Sequence, residues 1–85
     1  MTGNVSREFR LQTASDVLRD GLGLELLNDN GKVVAEVFRS DAKNSLEVSL
    51  FEKNLPFVQI ERLLKEARRL LGTFEDGSSL PSALA

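Results

Sequence analysis

The chain has no cysteine and no histidine among its 85 residues. Without cysteine there is no disulfide framework and no thiolate metal centre. Without histidine the most frequent metal ligand and the most frequent general base near neutral pH are both missing. Long apolar runs are also lacking: nothing approaches the roughly 20 residues that span a bilayer. The opening Met1-Thr2-Gly3-Asn4 has neither the basic nor the apolar region of a secretory signal. A cytoplasmic protein with no membrane segment is the expectation. The formal charge of −2 supplies no general attraction to nucleic acid or to anionic lipid.

What is present is an ordinary globular composition, 41% apolar and 28% charged, enough apolar side chain to offset the entropy of ordering the backbone. A chain this short holds one modest core. The clearest local signal is Asn30-Gly31 between Leu24-Glu25-Leu26-Leu27 and Lys32-Val33-Val34-Ala35-Glu36-Val37-Phe38. Both turn residues tolerate positive φ, so the pattern predicts a hairpin closed by a type I′ turn, or by a loop that Asp29 widens, with the same residues sharing a face in either case. After the polar break Ser40 to Ser45, Leu46-Glu47-Val48-Ser49-Leu50-Phe51 alternates again with period two. Pro56 then suits the first turn of a helix. Phe57, Ile60, Leu63, Leu64, Ala67, Leu70 and Leu71 recur on one helical arc, and Gly72 follows as a C-terminal cap.

The expected fold is therefore α+β, a three-stranded antiparallel meander followed by one amphipathic helix packed on one sheet face. Residues 1–21 form an N-terminal arm, 22–73 the core domain and 74–85 a flexible tail. The arm allows two readings. Val5, Arg7, Phe9 and Leu11 alternate as a strand does, whereas Ser15-Asp16-Val17-Leu18-Arg19 resembles a capped helical turn ending near Gly21. Gly21 and Gly23 run into a strand rather than a helix, so they read as a bend and not as a phosphate loop.

Strand alternation puts Leu22, Leu24, Leu26, Val33, Ala35, Val37, Leu46, Val48 and Leu50 under the helix. The opposite face then carries Glu25, Glu36, Glu47 and Ser49 together with Leu27, Val34, Phe38 and Phe51. Those last four are the candidate interaction surface, because monomers seldom leave contiguous apolar patches in water. Three coverings present themselves: the arm through Phe9, Leu11, Val17 and Leu18, a second copy in a homodimer, or a different protein.

Glu25 and Glu36 fall opposite each other across the first strand pair. Paired carboxylates suit acid–base chemistry or a hard cation, but solvated or arginine-bridged rim charges explain them as well, and no catalytic, metal or cofactor residue is assigned. The serines have no activating base within the pattern. Arg62, Lys65, Arg68 and Arg69 form a basic helix face that suggests, as the alternative, a nucleic-acid-binding accessory protein. A helix ahead of the meander would give the α-β-β-β-α order of double-stranded-RNA-binding domains. Those domains place basic residues at the start of the last helix, where this chain has Pro56-Phe57-Val58-Gln59-Ile60-Glu61. The leading expectation is a small non-enzymatic module for protein–protein interaction or self-association.

Overall fold

The structure, a computed structural model, describes residues 8–80. Its elements follow in the order β1 (Arg10–Asp16), β2 (Gly21–Leu27), β3 (Val33–Ser40), β4 (Ser45–Leu50) and α1 (Phe57–Leu71). The strands lie side by side in chain order as one antiparallel sheet. The class is α+β as expected, but the sheet has four strands and not three. The additional strand is the N-terminal arm, which pairs along the whole of β2 from Arg10↔Leu27 to Asp16↔Gly21. Val5 and Arg7 lie outside the described residues.

The signal that resembled a helix cap has a physical basis even though no helix follows it. The Asp16 carboxylate accepts the N–H groups of Leu18 and Arg19, both at 3.0 Å, which is how an N-cap side chain behaves. Here the same geometry closes the β1–β2 hairpin. Asp20, with φ 53°, completes the reversal. Among the described residues no helix precedes the meander, so the order is β-β-β-β-α and the parallel with double-stranded-RNA-binding domains is lost.

The β2–β3 hairpin is looser than a two-residue turn. Asn28 Oδ1 accepts the amides of Asn30 and Lys32, the Asn28 amide donates to the Lys32 carbonyl, and the Gly31 amide donates to the Asn28 carbonyl. Gly31 takes φ 78°, but Asn30 is not left-handed, so the turn is not type I′. The pairing shifts from Leu26↔Ala35 to Leu27↔Val33, which leaves Val34 as an extra residue on β3. Leu27 therefore does not sit opposite Val34. Beyond the bulge the expected register holds, with Glu25 opposite Glu36.

α1 packs on β2 and β3. Leu63, Ala67 and Leu71 press onto Leu24, Leu26, Ala35 and Val37, and Val34 joins the same cluster. Phe9, Leu11, Leu22, Leu46, Leu55 and Ile60 close its margins. Residues 73–80, expected in part as a tail, instead form a small hairpin with Phe74 buried and Thr73 bridged to Ser79. Leu80 N–H donates to Gly72 O, and Arg39 donates to the Thr73 carbonyl at 2.8 Å. Asp76 accepts from the Ser78 hydroxyl, the Ser78 amide and the Asn44 side chain, and these bonds hold its carboxyl down at about 2. Residues 81–85 lie outside the described residues.

The adjacent leucines of α1 separate core from surface: Leu63 is 0% exposed and Leu64 45% exposed. Leu63→Ala is expected to destabilise the chain by about 3 kcal/mol, and Leu64→Ala by less than ~1 kcal/mol, as measured by urea denaturation.

Candidate interaction surface

The open face of the sheet, opposite α1, is covered by its own side chains. Gln12, Glu25, Glu36 and Ser49 stand in one row across all four strands. In the next row Phe38 lies against β2 where Gly21 and Gly23 leave room for it. A Cβ at Gly21 would stand 2.5 Å from Phe38 Cζ, and one at Gly23 would stand 2.9 Å from Glu36 Oε2. The glycines expected to mark a bend are the floor on which this ring rests. Arg19, from the β1–β2 turn, places its guanidinium 3.9 Å from the centroid of the Phe38 ring, a cation–π contact. The same guanidinium donates to both oxygens of Glu36, at 3.2 and 3.0 Å, while its Nε donates to Asp16 at 2.6 Å.

This arrangement decides how the sequence-predicted residues stand. Leu27, Val34 and Phe38 are buried within the chain and only Phe51 of the four is exposed. The bulge brings Val34 into the core, and Arg19 caps Phe38, so no contiguous apolar patch forms on the open face. The arm covers that face through Arg19 and Gln12 and not through its apolar residues: Phe9 and Leu11 pack into the helix-side core, while Val17 and Leu18 at the turn tip are almost fully exposed. Arg19 carried the missing signal. Its charge beside Asp16 and Gly21 was visible in sequence, but its reach to Phe38 and, 17 residues away, to Glu36 was not.

The two carboxylates opposite each other are both engaged, Glu36 by Arg19 and Glu25 by Gln12 Nε2 at 2.7 Å. Among the described residues no group of three or more metal-ligating side chains comes together. On the basic helix face Arg69 pairs with Glu66 at 2.7 Å, which raises the guanidinium and lowers the carboxyl. Arg62 donates to Gln59 at 2.8 Å and more weakly to the Phe9 carbonyl. Lys65 is exposed, and Arg68 borders a groove beside β4.

Apart from Val17 and Leu18 at the turn tip, exposed apolar side chains gather on the side of α1 that faces β4. Val48 is 54% exposed, Leu50 60%, Phe51 56% and Phe57 74%. Leu64 and Ala67 of α1 share one groove with Leu46 and Val48 of β4. Leu50, Phe51, Leu55 and Ile60 line a second hollow, where Leu50 and Phe51 continue the chain beyond Val48. Val48 and Leu50 were expected under the helix, but α1 sits mainly over β2 and β3 and leaves both more than half exposed at its margin. β4 is also an edge of the sheet, so its outer backbone groups have no strand beside them among the described residues.

No protein family, no curated protein and no solved structure matches this chain. Among the described residues no helix is long and apolar enough to cross a membrane.

Two measurements probe the open face. Phe38→Asp is expected to destabilise the fold by about 3 kcal/mol or more, because a buried ring is lost and a charge is left without solvent; loss of association with the fold intact would instead restore Phe38 as a surface residue. Asp16 is held below its ordinary 3.8, first by the Arg19 side chain and then by the Arg19 amide. Its contribution to stability is complete above about pH 4 and is lost as the pH falls through the lowered value. In Arg19→Ala the Asp16 carboxyl is expected to titrate closer to 3.8, read by carboxyl-carbon NMR.

Proposed function

We propose that this chain is a non-enzymatic protein–protein interaction module whose working surface is the β4–α1 side of the fold. The observation that carries the reading is the set of apolar side chains left in water there, Val48 and Leu64 in one groove, Leu50 and Phe51 in a second and Phe57 at the start of α1, all on or beside rigid elements. Monomers rarely keep such surfaces uncovered. Each of these side chains gains roughly 1.5 to 3 kcal/mol on full burial, and only the excess over the entropy of association appears as affinity. Holding the anchors on a strand and a helix keeps that entropic term small.

The engagement of Glu25 and Glu36 by neighbours favours a structural role for the carboxylate pair and weighs in the same direction. So does the pairing of Arg69 with Glu66, which leaves less free positive charge on the helix for phosphate.

A photo-crosslinking residue at position 51 or 57, in cells expressing the full chain, is expected to give products of defined mass. The same residue at Thr13, on the far edge of the sheet, should not. Absence of products at 51 and 57, or equal products at 13, would remove the reading.

A further inference from the structure

The interaction reading above is the basis of this inference, which names the partner. We propose that β4 pairs antiparallel with β4 of a second copy of this chain, about a two-fold axis at Val48, making one continuous eight-stranded sheet.

The phase of the β3–β4 ladder makes the outer edge available. The Phe51 amide donates to the Val34 carbonyl at 2.9 Å. Hydrogen-bonded and non-bonded pairs alternate along an antiparallel ladder. Ser45, Glu47 and Ser49 therefore turn their backbone groups to β3, and Leu46, Val48 and Leu50 turn theirs outward. Among the described residues β4 carries few of the usual protections of an edge. It has no proline and no bulge, and Glu47 is its single charged residue. The other edge differs: β1 contains Arg10, Gln12, Thr13, Ser15 and Asp16, and its Leu11 already packs against the core.

The side chains select one register. Centred on Val48, Leu46 meets the partner's Leu50 and Val48 meets the partner's Val48 on the helix side. Glu47 meets the partner's Ser49 on the open face. A shift of two residues one way sets Glu47 against the partner's Glu47 at the close spacing of about 4.5 Å, where like charges repel. The opposite shift sets Leu46 against the partner's Glu52 and Glu47 against the partner's Phe51. One-residue shifts turn the helix side of one sheet toward the open face of the other. In the chosen register Leu46, Val48 and Leu50 exchange about six backbone hydrogen bonds with the second copy. Their side chains form an apolar floor shared by both copies, and Phe51 packs beside the partner's Ser45. The α1 helices stay over the inner strands, so the strand pairing carries the contact.

Light scattering on the full chain, from about 10 µM to 1 mM, is expected to give twice the 9.4 kDa chain mass. Val48→Glu and Val48→Lys each put like charges on the axis, and each is expected to weaken association roughly 100-fold or more. An equimolar mixture of the two variants should recover the dimer. In the unmodified chain the outward amides of Leu46, Val48 and Leu50 should exchange slowly, with protection that rises with concentration. A monomer at every concentration overturns the inference, as does a dimer insensitive to both variants or one in which those three amides exchange freely. A monomer whose position-51 crosslinker captures a different protein overturns the second copy as partner and leaves the interaction reading standing; a monomer with no captured product overturns both.

Discussion

A helix with its side chains is about 10 Å across and strands lie about 4.8 Å apart, so a single helix covers two strands of a sheet. In this protein α1 rests mainly on β2 and β3, and the outer strands lie at the margin of its cover. The consequence differs on the two sides because the residues differ. β1 meets water mostly through polar side chains, with Phe9 and Leu11 turned into the core. β4 leaves Val48 and Leu50 more than half exposed among the described residues, in grooves bordered by Leu80 and Leu55, and α1 adds the exposed Phe57 and Leu64. The functional reading follows from this mismatch between one helix and four strands.

The open face shows how a two-layer fold can leave a sheet uncovered without exposing its apolar residues. Two glycines remove the side chains that would lift Phe38 away from the sheet, and one arginine covers the ring with a charged group that water can reach. The Arg19 guanidinium also satisfies Glu36, which is 6% exposed and would otherwise be a buried carboxylate without a cation. Its pKa is raised chiefly by those bonds to Glu36 and then by Asp16. Asp16 in turn fixes the turn that presents Arg19. The β1–β2 hairpin, added to the sheet by the N-terminal arm, therefore supplies the cover for the face opposite the helix. Arg39 plays a comparable part at the other end, close to Asp41 at 2.9 Å and donating to Thr73, so the hairpin of residues 73–80 is tied to the β3–β4 turn.

Much of the fold was legible in the chain. Period-two alternation located β2, β3 and β4, and a run of apolar residues at helical spacing located α1 within a residue of its bounds. The pairing of Glu25 with Glu36 followed from the position of the turn. The arm was ambiguous because the Asp16 signal is shared by helix caps and hairpin turns, and local sequence does not distinguish them. The candidate surface was legible in kind but not in place. An apolar excess over what one helix can cover was evident, yet alternation places Leu27, Val34, Phe38 and Phe51 on the open face, and of these four the chain buries the first three and leaves Phe51 exposed.

The sequence by itself determined which residues alternate in β2, β3 and β4, where the chain turns between them and where the helix begins and ends, since these depend on neighbours within a few positions. Only the tertiary structure decided which two strands the helix covers, that a bulge at Val34 changes the face it serves, and that Arg19 reaches Phe38 and Glu36. Those outcomes depend on contacts between residues far apart in the chain, where a shift of one residue in register or one strand in helix placement exchanges buried for exposed.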